Sequence, residues 1–209
     1  MREHATALEF MRANPFAILI STAPNSAGDE SPFATHVPVV IREDGDRVVI
    51  RGHVAKANPH WKYLEQQPQC LMIFHGPHAY VSTANYVTRE NVPTWNYGAV
   101  HVYGTARVFS AQDELLGVLH ELIPTFEAAY REQWEGLSEA YRERMLGHIV
   151  GFEIMVAKME AKFKLSQNRT KEEQANVIES LGAASDTTLS GTARLMREQG
   201  LGGASKDKE

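Results

Sequence analysis

From Ala99 to Phe109 the chain alternates between its two faces, and this run constrains the fold more than any other. Val100, Val102, Ala106 and Val108 fall on one side. His101, Tyr103, Thr105, Arg107 and Phe109 fall on the other. A period of two over eleven residues predicts a long strand covered on one face, and Gly104 within it predicts a bulge or sharp bend. Around it lie further extended segments: Phe16–Thr22, Pro32–Ile41, Arg47–His53, Cys70–His75, Ala79–Thr83 and 149–165. Asp44-Gly45 marks a tight hairpin, because that pair tolerates positive φ, and Gly76-Pro77 reads as a turn between two strands. The polar stretch Ala23–Ser31 reads as another turn. Six to eight mostly antiparallel strands arriving as hairpins imply a closed or partly closed barrel, mainly β with helices.

Helices are expected at 4–13, at 56–66 with Trp61 and Leu64 on one face, and over about 112–148 with Leu115, Leu116, Leu119, Leu122 and Ile123 as a stripe. Ser110 with Asp113, and Thr170 with Glu173, have capping spacing. The second opens a helix running to Leu181. From Gly182 large apolar residues thin out and five of the 15 glycines gather. The expected organisation is therefore one domain over 1–181 and a glycine-rich mobile tail over 182–209.

The 209 residues carry 21 Lys+Arg against 26 Asp+Glu, a net charge of −5, which argues against a nucleic-acid binder working through a cationic face. No apolar run approaches the roughly 20 residues of a membrane helix, and no leader pattern follows Arg2. The single Cys70 excludes an internal disulfide, so a cytoplasmic setting is expected.

Cys70, His75 and His78 have a spacing that invites a metal. With Gly76-Pro77 read as a turn, however, the two histidines fall at the ends of different strands, and no metal site is expected. There is no nucleophile elbow, P-loop or dinucleotide fingerprint, and no catalytic residue is singled out. Two segments are more specific. In Arg51–Trp61 a strand runs into a helix start, and Arg51, His53, Lys56 and Asn58 offer several donors together. That set suits a phosphomonoester or, more plainly, a solvated corner. In Asn91–Tyr97, Trp95 and Tyr97 flank the amide of Asn96. Such rings cover a partner subunit, a flat aromatic ligand or the core.

These segments also carry a family resemblance. Phe74–Ser82, Asn91–Tyr97 with Ala99-Val100-His101, and Lys164–Arg169 resemble hallmark runs of the PaiB family, described as FMN-binding negative transcriptional regulators. Ala34–Pro38, Gly52–Pro59 and Val150–Ile154 match as well, so the likeness covers about residues 14–181. It implies an antiparallel FMN-binding split barrel with a helical insertion, related to pyridoxamine 5′-phosphate oxidase and the flavin reductases, pairing as a homodimer with FMN at the subunit interface.

Laid on this chain, the resemblance gives the phosphate to Arg51, His53, Lys56 and Asn58. Thr35, His36, Val37 and Pro38 run along the ring edge, and Trp95, Asn96 and Tyr97 close the pocket. Lys164, Gln167 and Arg169 form a second basic group that reaches toward the phosphate or its substrate. The function implied is a negative transcriptional regulator or flavin/redox sensor, with an FMN-dependent oxidoreductase of the flavin reductase type as the alternative and a haem binder as a third. The helices of 110–148 are rich in Leu and Glu and show no recognition-helix pattern, which with the charge argues against direct DNA contact.

Overall fold

The computed structural model describes residues 2–24 and 30–203. The centre of the turn expected over 23–31 lies outside the described residues. Six strands close a barrel: β1 (Phe16–Pro24), β2 (Glu30–Asp44), β3 (Arg47–Ala55), β4 (Gln69–Val81), β5 (Thr94–Phe109) and β6 (Ile149–Lys164), in the order β1-β2-β3-β6-β5-β4. Helix α1 (Arg2–Ala13) precedes β1, α2 (His60–Gln66) joins β3 to β4, and α3 (Gln112–Glu127), α4 (Tyr130–Gly136) and α5 (Glu139–Leu146) intervene between β5 and β6. Helices α6 (Lys171–Gly182) and α7 (Thr187–Glu198) follow. Among the described residues no helix is long and apolar enough to cross a membrane.

The chain divides into two compact units. One comprises Met1–Phe74 with Val100–Glu160, the other His75–Ala99 with Ala161–Glu209. In the first, β1 and β2 pair from Phe16↔Pro38 outward, and β2 and β3 meet across the Asp44–Arg47 hairpin, whose Gly45 has φ +59. Strand β3 then pairs with the distant β6 from Val49↔Met155 to Ala55↔Ile149. Met11, Leu19, Val39, Ile50, Met72, Val100, Val102 and Ile154 are wholly buried in this unit. On the outer face, Phe109 and Val40 pack with Leu115, Val118, Leu122 and Leu146, so the inserted helices cover a second, smaller core.

Several local expectations change. The Gly76-Pro77 pair does not end a strand. Strand β4 runs straight through it, and its exposed positions shift from the odd series ending at His75 to the even series His78 and Tyr80. Such a one-residue slip of phase needs the same residues as a turn does. Helix α2 begins at His60 rather than Lys56, because Pro59 disfavours helical backbone at Asn58. Thr94–Tyr97 belongs to β5 and not to a loop. The N-cap of α3 is Ala111 with no side-chain bond, whereas the Thr170–Glu173 capping box forms in full. The composition of 182–209 suggested mobility, yet 187–198 form α7. Asp186 caps that helix through the amides of Thr188 and Leu189, and Ala193 and Met196 are wholly buried.

Gly104 keeps the alternation of β5 and sits among its buried positions. A Cβ there would come within 2.5 Å of the Met155 carbonyl oxygen and 2.6 Å of Ile154 Cγ2, so glycine is required for β5 and β6 to approach. Gly104→Ala is expected to cost about 2 kcal/mol through overpacking. For a chain of this length that corresponds to a melting temperature lower by roughly 4–8 °C, measured by calorimetry.

Candidate functional site

In the first unit β2 places Thr35 with its hydroxyl against the corner that follows β3. The Asn58 amide donates to Thr35 Oγ1 at 3.1 Å, and His60 Nδ1 lies 2.8 Å from the same oxygen. Asn58 Oδ1 in turn accepts from the His60 amide at 3.0 Å, tying the first turn of α2 to the corner. Thr35 and Asn58, read from sequence as separate contacts, therefore form one network, and its third member, His60, was not a sequence candidate. A histidine directly after a proline at a helix start was the available signal. His60 is wholly buried, its ring edge-on to Phe33, and its Nε2 has no hydrogen-bond partner.

Burial lowers the His60 pKa to about 4 and pushes that of His53 down as well. Charged His60 carries a proton on both ring nitrogens, and among the described residues Nε2 has no acceptor for it. Because the folded-state affinity for that proton is below that of the unfolded chain, the stabilisation is complete above about pH 6.5 and is lost as pH falls toward 4. His60→Gln is expected to flatten the dependence of the urea midpoint on pH between 6.5 and 4, measured in parallel with the parent.

Arg51 is largely buried and engaged. Its guanidinium pairs with Glu121 of α3 and lies 3.4 Å from Glu153, its partner across the β3–β6 register. Arg42 reaches the same Glu121 at 3.2 Å, and Arg107 pairs with Glu114 at 2.7 Å and Glu153 at 3.5 Å while stacking on Phe109 at 4.8 Å. Three arginines and three glutamates thus neutralise one another over the smaller core, so Arg51 is spent on carboxylates. Lys56 is different. It is exposed, no carboxylate pairs with it among the described residues, and its backbone is fixed by its own amide bonding to the His148 carbonyl at 2.7 Å and by Trp61 Nε1 donating to its carbonyl at 3.1 Å. His53 Nδ1 is buried without a partner. Val37 is in the core, Pro38 is half-buried, and His36 is exposed beside the Phe16 ring at 5.9 Å.

In the second unit Asn96 is interior. Its Oδ1 accepts from the Ser166 hydroxyl at 3.0 Å and its Nδ2 faces Met196 Sδ at 3.5 Å, so its amide is used inside the unit and not toward a ligand ring. Ser166 holds φ +62 to make this contact, and its carbonyl accepts from Gln174 at 3.3 Å. Gln167 folds back on its own turn, accepting from the Leu165 amide at 2.8 Å. Arg169 stacks on Tyr86 at 3.8 Å and donates to Asn91, and Lys164 donates to Thr94 at 2.6 Å. Trp95 is exposed, with Tyr80 and His78 beside it at 6.1 and 5.7 Å, while Tyr97 is half-buried.

Residues 1–158 match the family model described as "Putative FMN-binding domain". The chain is 38% identical to the Protease synthase and sporulation protein PAI 2 of Bacillus subtilis over 193 residues, 91% of this chain and 89% of that one. It belongs to the PaiB family of FMN-binding proteins. An uncharacterized protein of Emericella nidulans is 30% identical, with 92% and 91% covered. Among solved structures the fold resembles the FAD and heme binding protein from Mycobacterium smegmatis, with a TM-score of 0.54, 15% identity, and 78% of this chain and 71% of that one covered. It also resembles the flavocytochrome Anf3 from Azotobacter vinelandii, with a TM-score of 0.53, 18% identity, and 77% and 66% covered. These likenesses establish a flavin-binding split-barrel fold, with FMN as the cofactor of the family. The donor set of the first unit fits that group: among the described residues Lys56 is a cation with no carboxylate paired to it, and His53 Nδ1 is a buried nitrogen without a hydrogen-bond partner.

Proposed function

We propose that this protein is an FMN-binding regulator that senses the bound or redox state of its flavin and lowers gene expression through a protein partner, as a cytoplasmic homodimer. The observation that carries the flavin assignment is Lys56, an exposed, unpaired cation on a corner whose backbone is fixed from two sides. We assign the FMN phosphate to Lys56 and His53, and the ring edge to the β2 segment Thr35–Pro38. Bound FMN supplies the redox chemistry, and the chain supplies position and charge.

The regulatory part rests on the relative whose name ties it to protease synthesis and sporulation, not to a metabolic substrate. A net charge of −5 favours action through a protein over direct DNA contact. Of the lysines over 158–171, Lys158 pairs with Glu160 and Lys164 donates to Thr94.

Fluorescence titration with FMN is expected to give a Kd about tenfold weaker for Lys56→Ala, the loss of one charge-assisted contact, with an unchanged melting temperature. Equal affinities would contradict the assignment. Gel shifts are expected to remain negative down to low salt, whereas retarded DNA with a steep salt dependence would make the protein a direct repressor. Steady NADH or NADPH oxidation would move it to the flavin reductase-like alternative.

The dimer is supported by exposed apolar side chains of the first unit. Met155 on β6 and Tyr103 on β5 are 39% and 37% exposed, and most of β6 from 155 to 160 is uncovered. Met155→Glu is expected to shift the sedimenting species from dimer to monomer with an unaltered circular dichroism spectrum. A parent chain that sediments as a monomer would refute the pairing.

A further inference from the structure

Because β4 is continuous through Gly76-Pro77, the slip of phase brings His75 and His78 onto one surface. Their ring centroids are 5.0 Å apart, with an angle of 61° between the planes. We propose that these two imidazoles are a chelating site for a borderline divalent transition ion, Cu²⁺, Ni²⁺ or Zn²⁺, with water completing its coordination. The spacing is that of two cis ligands. With metal–nitrogen bonds of about 2.0–2.1 Å and each ring centre about 1.1 Å behind its nitrogen, bond angles between square and tetrahedral hold the centroids roughly 4.5–5.2 Å apart.

Two further features agree with this assignment. Neither ring makes a hydrogen bond to another group among the described residues, so their nitrogens are available. A strand is also a stiff carrier for a two-point ligand, and borderline ions are those that imidazole selects. The flavin assignment rests on other residues, Lys56 and His53, which belong to the other unit.

The test uses the full chain as purified. Trp95 lies 5.7 Å from His78 and so reports a paramagnetic ion bound at the pair. Titration with CuCl₂, followed by calorimetry and tryptophan fluorescence, is expected to show saturable binding of one equivalent with quenching, reversed by excess Zn²⁺. His75→Gln and His78→Gln, both on exposed or half-exposed positions, are each expected to weaken binding at least tenfold without changing the melting temperature. Trp95→Phe is expected to lose the quenching and keep the binding heat. Absence of saturable one-equivalent binding would overturn the proposal, as would affinity that either histidine variant leaves unchanged. FMN titration of the same variants separates this outcome from the flavin reading, because loss of copper binding there leaves FMN affinity intact.

Discussion

The first unit depends on the pairing of β3 with β6, a contact between segments about a hundred residues apart in sequence. It closes the sheet, and closure removes the exposed edges that an open antiparallel sheet would carry. Glycine makes the approach possible at two of its rungs. A Cβ on Gly52 would meet the Phe152 ring at 2.8 Å, and one on Gly151 would meet the Phe109 ring at 2.3 Å. The same register sets Arg51 opposite Glu153, so the step that closes the barrel also positions the central arginine of the ionic cluster. Helices α3 to α5 are inserted between β5 and β6, and their apolar stripe covers the outer face that this closure creates.

That arrangement divides the basic residues by role. Arg51 is neutralised by Glu121 and Glu153 and rests over Phe109, where removal of both partners would leave an unpaired charge in a largely buried place. Lys56, five residues on, has left the sheet and faces solvent. Two cations close in sequence thus differ: Arg51 holds a helix to a barrel, and Lys56 has no carboxylate paired with it among the described residues. The corner that presents Lys56 is itself held by the Thr35–Asn58–His60 network, in which burial keeps His60 neutral near pH 7.

Features written within a few residues were legible in the sequence. The Asp44-Gly45 hairpin, the Thr170–Glu173 capping box, the alternation of β5 and the apolar stripe of α3 each rest on local chemistry, and each recurs in the structure. Features that depend on distant partners were not. Arg51 looked free because Glu121 is seventy residues away. Asn96 looked available because Ser166 and Met196, which enclose it, lie far along the chain. Gly76-Pro77 was ambiguous for a different reason: the residues that end a strand are also those that shift its phase, and only the neighbouring strands decide between them. The helix after Gly182 was not legible because apolar residues are few there, yet Ala193, Leu195 and Met196 share one buried face of α7.

The central claim is that this barrel holds FMN at its own side chains. The absorbance spectrum of the full chain, purified and equilibrated with one equivalent of FMN and then freed of unbound ligand, tests it most directly. A yellow protein retaining close to one flavin per chain is expected, with bands in the near-UV and blue that bleach on addition of dithionite. A colourless protein that retains no FMN would contradict it.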